Sequence, residues 1–296
     1  MMGEFVAVGL LLGSIMAASG SGDGATASSA RLVPYEGPYA YGLAIAPPWA
    51  DGGRLVINLP EHLEVWPGTH GILRHNDAEP KSRWIVGENG RTAELDVESA
   101  TMPGIFVQGR AEIAAPDRVV LRMRIVNRTD RAIPGIRPLY CAQYARLAGF
   151  PQWVDNFRHT HVLIDGEAVA LIDTDTENPE ADRKGGYVVG APQHDGDEFP
   201  AAVGGLMEKQ RLDAAITSVE ALAGDRRVLV GWTPGKSMLS NAAIPCIHGD
   251  PYYGAIAAGE SAEAEGVVWF TDRSVDEALK QLAEEGVGAP LDEWRQ

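Results

Sequence analysis

The chain has little cysteine, little basic charge and no long apolar run. Only two of its 296 residues are cysteine, Cys141 and Cys246. That excludes a disulfide-stapled scaffold, and a chain of this length can bury a core without staples. Lys and Arg number 25 against 41 Asp and Glu, a formal net charge of −16. Phosphates and anionic membrane surfaces repel such a balance, so nucleic acid and lipid are not expected as partners. A small neutral ligand fits better. The N-terminal apolar run, Phe5 to Met16, has 12 residues, too short to cross a bilayer comfortably. No membrane span is expected. There is no Gly-x-Ser-x-Gly nucleophile elbow, no P-loop, no dinucleotide-binding fingerprint and no internal repeat. Serine hydrolase, nucleotide and nicotinamide chemistries therefore lack their usual sequence anchors.

What is present is turn chemistry and strands. The 34 glycines and 19 prolines punctuate short β-branched runs, the composition of an all-β fold. Val119, Leu121, Met123 and Ile125 alternate with Val120, Arg122 and Arg124. This predicts a half-buried antiparallel strand with a wet outer face. Further strands are expected over residues 54–59, 104–109, 227–232 and 266–270. In 159–172, two apolar runs flank Asp165-Gly166, which suits a two-residue type I′ hairpin. The implied register sets Ile164 against Glu167, Leu163 against Ala168, His161 against Ala170 and His159 against Ile172. One helix is expected, near the C-terminus. Ser274-Val275-Asp276-Glu277 makes a capping box, Val275, Ala278, Leu279 and Leu282 make a stripe, and Gly286 stops it. The fold class is a large antiparallel β-sandwich with a short C-terminal helix.

Three segments divide the chain. Residues 1–19 read as a signal peptide, because small residues Ala17 to Gly20 follow the apolar run, although Glu4 stands where Lys or Arg is usual. Residues 20–30 read as a flexible Gly/Ser/Ala/Thr linker. Residues 31–296 form a single β-sandwich domain, with a polar, acidic loop or lid over 173–215. The expected location is secreted or periplasmic. In that setting Cys141 and Cys246 are a disulfide candidate, two buried thiols and a metal ligand being the other readings. They are 105 positions apart, and a bridge closing such a loop contributes about 4 kcal/mol in the chain-entropy model.

The densest chemistry lies at Cys246-Ile247-His248-Gly249-Asp250-Pro251-Tyr252. In extended backbone, side chains two apart share a face. His248 is then the candidate acid or base, since its ordinary pKa lies nearest neutrality. Asp250 would orient it and Tyr252 would contact substrate. A plain Asp-Pro turn beside a satisfied histidine is the structural alternative. His159 and His161 also stand two apart, a spacing that suits a divalent metal such as Zn²⁺, with Ca²⁺ as a further possibility. A hydrogen-bonded structural pair is the alternative there. Arg74 and His75, in a loop with Trp66, suit a sugar or carboxylate, and Trp232 offers an aromatic platform. Both could equally be an exposed polar loop and a core residue. Asn127-Arg128-Thr129 fits a glycosylation acceptor, but a strand-ending turn accounts for it better.

Val126-Asn127-Arg128-Thr129-Asp130-Arg131-Ala132-Ile133-Pro134 resembles the strand-turn Asn-x-Ser/Thr-Asp of galactose-mutarotase-like, carbohydrate-active β-sandwich proteins. Gly259-Glu260-Ser261 and the strand after it resemble the closing turn of the same sandwich. The Cys-x-His-x-Asp-Pro stretch is similar to one in exported bacterial proteins. The resemblance implies a large sandwich with a sugar-binding concave face. Where mutarotases carry a catalytic histidine, this chain reads Pro138-Leu139-Tyr140-Cys141-Ala142, so no catalytic residue transfers. Three functions follow as expectations: an exported carbohydrate-active protein working by acid/base chemistry, a non-catalytic glycan-binding or scaffold domain, and a cupin-like metalloenzyme using His159 and His161. No oligomeric state is implied.

Overall fold

The computed structural model describes residues 28–65, 71–74, 83–152, 156–174, 189–190, 212–241 and 244–289. The signal peptide, residues 20–27 of the linker, His75, and 175–188 and 191–211 of the long loop lie outside the described residues. In chain order the strands are β1 (Arg31–Val33), β2 (Gly42–Ala46), β3 (Leu55–Val65), β4 (Gly71–Arg74), β5 (Ile85–Val86), β6 (Thr92–Glu98), β7 (Ile105–Ala115), β8 (Arg118–Asn127) and β9 (Ile136–Gln143). After the short helix α1 (Asn156–His159) come β10 (Thr160–Ile164), β11 (Glu167–Ala170), β12 (Val189–Gly190), β13 (Ile216–Glu220), β14 (Arg227–Thr233), β15 (Gly235–Asn241), β16 (Cys246–Pro251) and β17 (Ser261–Thr271). Helix α2 (Val275–Glu284) follows.

The strands form two antiparallel sheets. The first runs β1-β2-β3-β9-β16-β15-β12, with β4 also on β3; the second runs β11-β10-β13-β14-β17-β8-β7-β6-β5. One core lies between them, as in a β-sandwich. Leu43, Leu55, Ile57, Tyr140 and Ile247 of the first sheet meet Leu121, Met123, Val230, Trp232 and Phe270 of the second in one buried cluster. The alternation read at 119–125 is real: Val119, Leu121, Met123 and Ile125 are buried. On the wet face Arg122 and Arg124 pair with Glu265 and Glu263 of β17.

Local turn chemistry behaves as the sequence implies. Asp165 and Gly166 both have positive φ, 51° and 76°, the type I′ requirement. The register pairs Ile164 with Glu167, Leu163 with Ala168 and His161 with Ala170. Ser274 caps α2 through the full capping box. Asn127 is fully buried, and its amide nitrogen donates to the carbonyls of Arg131, Ile256 and Ala257. Its oxygen accepts from the Thr129 backbone and hydroxyl. This side chain staples the turn to the segment before β17, and burial leaves no room for a glycan on it.

Three expectations are corrected. The linker ends before residue 30: Ala30 is buried and its N–H donates to the Pro116 carbonyl at 2.6 Å. Strand β3 does not stop at Leu59 but continues through Pro60 to Val65. His159 does not pair with Ile172, because it closes α1 and residues 171–173 coil into a 3₁₀ turn. His159 has helical and not strand backbone, so the two-residue strand period does not apply between it and His161.

Candidate functional site

The centre of interest is built where the first sheet departs from regular pairing. Strand β9 pairs with β16 at Cys246–Gln143, Ile247–Ala142 and His248–Cys141, and there the ladder ends. Beyond it, the Tyr140 N–H donates to the Asp250 carboxylate at 2.9 Å. On the other side of β9, β3 pairs at Asn58–Cys141 and resumes only at His62–Leu139. The bulge between them holds the cis Leu59–Pro60 peptide and Glu61. A proline has no N–H for the ladder, so it sits where pairing is interrupted.

The two faces of β16 are occupied very differently. Ile247 lies in the interior cluster. Gly249 faces the second sheet, where an added Cβ would stand 3.3 Å from Gly231 Cα and 3.4 Å from the Ala215 and Val230 carbonyl oxygens. The Thr217 hydroxyl of β13 donates to the His248 carbonyl at 2.8 Å. These contacts fix the strand. By the two-residue period, Cys246, His248 and Asp250 face away from that interior. Even so, they are only 3%, 3% and 1% exposed.

On this outer face Asn58, Cys141 and His248 form one row across three strands. Nε2 of His248 lies 3.7 Å from Cys246 Sγ and 3.9 Å from Glu61 Oε2. Its Nδ1 lies 3.9 Å from Asp250 Oδ1. One imidazole thus stands between two carboxylates and a thiol. Burial alone lowers the His248 pKa, but the Cys246 sulfur and the charges of Asp250 and Glu61 outweigh it and raise the imidazole to about 9. A hydrogen bond from Cys141 lowers the Cys246 thiol against the cost of burial, and His248 adds to this, bringing it to about 6. The same hydrogen bond raises Cys141, and burial raises it further. The arrangement can hold a thiolate–imidazolium pair and move a proton at Nε2.

Cys141 and Cys246 are neighbours, as a bridge would require, and stand as free thiols. Together with His248 Nε2 they place three ligand atoms within 4.8 Å of one another. No comparable cluster includes His159 or His161 among the described residues. Both of those lie on the second sheet's side of the molecule, and burial lowers the His161 pKa. Trp232 is a core residue, 1% exposed, with its ring 4.7 Å from that of Tyr140, so it offers no platform for a ligand. Arg74 pairs with Glu64 at 3.3 Å, and its Cα faces that of His62 on β3. Tyr252 is half-buried just past the strand end, with the Lys236 ammonium 5.4 Å from its ring centre. Glu61 and Asn58 escape a reading of the sequence. The signal for them is Pro60 inside an otherwise regular strand, followed at once by Glu61-His62.

No protein-family model matches the chain, and no curated protein matches it. Solved structures do. The Slr1438 protein from Synechocystis sp. PCC 6803 is 12% identical, over 83% of this chain and 93% of that one, with a TM-score of 0.44. A galactose mutarotase related enzyme from Lactobacillus acidophilus is 7% identical over 82% and 99%, TM-score 0.40. An aldose epimerase homologue from C. elegans is 10% identical over 69% and 71%, TM-score 0.36. The similarity is distant. None of these likenesses bears on the side chains around His248.

Proposed function

We propose that this chain is an exported carbohydrate-active enzyme that binds a neutral sugar on the outer face of the first sheet and acts on it by proton transfer. The observation that carries the reading is the His248 imidazole held between Glu61 and Asp250, with Cys246 beside Nε2. A buried histidine with two carboxylates is costly to keep and suits general acid/base work. In this reading His248 and Glu61 carry protons at the sugar, and Asp250, fixed by the Tyr140 N–H, balances the charge of the imidazole from 3.9 Å. Tyr252 and Arg74 are the candidate substrate contacts at the rim. The sugar class is supported by the mutarotase-like strand-turn around Asn127 and by a net charge of −16 that disfavours anionic ligands. The N-terminal apolar run supports export.

The test is a panel of mono- and oligosaccharides assayed for anomer interconversion, bond cleavage and binding. Turnover of at least one sugar is expected, falling by about 10²–10⁴-fold in His248→Asn. Unchanged turnover in that variant removes His248 from the chemistry. Binding of a sugar without any turnover in the parent makes the chain a glycan-binding domain instead.

A further inference from the structure

We propose that Cys141 Sγ, Cys246 Sγ and His248 Nε2 form a binding site for one zinc-class divalent ion, with Glu61 at its open side. The three ligand atoms already lie within 4.8 Å of one another. A tetrahedral ion with bonds of about 2.3 Å to sulfur and 2.0–2.1 Å to nitrogen separates such atoms by about 3.5–3.8 Å. Cys246 Sγ and His248 Nε2 stand at 3.7 Å. The ligands need no loop to gather them. His248 and Cys141 are register partners on adjacent strands, and Cys246 is two residues from His248 on the same face.

The surroundings fit a metal as well as the ligands do. A ligating histidine usually has its other ring nitrogen directed at a carboxylate, which fixes the ring and strengthens it as a donor. Here Nδ1 is buried and has no hydrogen-bond partner among the described residues, with the Asp250 carboxylate 3.9 Å away and itself held by the Tyr140 N–H. Two thiolates and a neutral imidazole cancel a 2+ charge, so the loaded centre is neutral and can be buried. Each thiol that ligates releases its proton to solvent. Beside Cys141, the Asn58 side chain is fully buried, and neither of its amide atoms has a hydrogen-bond partner among the described residues. It is a ready partner for a water or substrate atom on the ion. Glu61 Oε2 lies 3.9 Å from Nε2 but outside the group of three ligand atoms, so its place is to serve a metal-bound water and not to ligate the ion. The sulfur-rich donor set selects zinc and rejects Ca²⁺, which takes oxygen ligands.

This inference does not depend on a sugar substrate. With an ion on Nε2 the imidazole keeps its one proton on Nδ1, so proton transfer at Nε2 is no longer open to it and that work falls to Glu61. Metal content is read on the resting protein, so it stands or fails separately from turnover. The full chain, untagged and purified under reductant without chelator, is analysed for metals; about one zinc per chain is expected. Stripped protein is then titrated with Co²⁺, where a thiolate-to-cobalt charge-transfer band reports the ligands. Cys246→Ser should weaken that band, and Cys141→Ser together with Cys246→Ser should abolish it. Asp250→Asn keeps all three ligands and should weaken affinity about 10–100-fold; it carries the test if the cysteine variant fails to fold. His161→Ala should bind as the parent does. A reduced, folded parent that gives no charge-transfer band overturns the proposal. So does a doubly substituted Cys141→Ser, Cys246→Ser protein that binds the ion as tightly as the parent.

Discussion

The two faces of β16 contrast sharply. The inner face carries Ile247 and Gly249 and meets the second sheet at backbone distance. The outer face carries Cys246, His248 and Asp250, all buried and all able to ionise. The inner face contributes stability through packing, whereas the outer face holds groups that are expensive to desolvate. Alternation within six residues lets one strand do both. The inner contacts hold the backbone still, so that the outer groups keep their distances.

The comparison can be broken from the inside first. Trp232→Ala should cost about 3–5 kcal/mol in urea unfolding, since its ring lies against Tyr140 and Gly266 in the core. A loss confined to ligand binding, with stability intact, would return Trp232 to the surface role its sequence suggested. Gly249→Ala should cost about 1–3 kcal/mol, because the atoms its Cβ would approach are backbone and cannot swing aside. Unfolding midpoints measure it; a neutral result would mean that the sheets are not locked at this point.

The outer face is tested by pH. Folding raises His248 from its ordinary 6.5 to about 9. Its contribution to stability is therefore complete below about 6.5 and is lost as pH rises through about 9. Cys246 works in the opposite sense: lowered from 9.0 to about 6, it contributes above its ordinary value and loses that contribution as pH falls through about 6. In metal-free, reduced protein, His248→Gln should therefore cost more stability near pH 6 than near pH 10, as read from urea midpoints. An equal cost at both ends would show that the imidazole is not held charged. Thr217→Val should have the smallest effect, about 1 kcal/mol, by removing the hydroxyl that donates to the His248 carbonyl. If it instead shifted the His248 titration measured by NMR while leaving stability unchanged, the anchor would act on the ring and not on the strand.

Much of this fold was legible before any coordinates. The β10–β11 hairpin register, the faces of β8, the capped C-terminal helix and the Asn127 turn all follow from spacing and turn chemistry within a few residues. The site was only half legible. The shared face of Cys246, His248 and Asp250 follows from the two-residue period, but Glu61 and Asn58 do not, because a bulge at Pro60 breaks the period that would have placed them. The pairing expected of His159 with Ile172 failed for a related reason: it assumed that the strand began at His159, and α1 occupies that position.

By itself, then, the sequence determined the class of the fold and which side chains share a face along each strand. Only the tertiary structure decided that β9 lies between β3 and β16. That neighbourhood sets Cys141 beside His248 and brings Glu61 to the same imidazole. The physical reason is range. Side-chain period and turn geometry act over a few residues and are written locally. The choice of neighbouring strands closes long loops and is settled by how the two sheets fill one core, which no local pattern specifies.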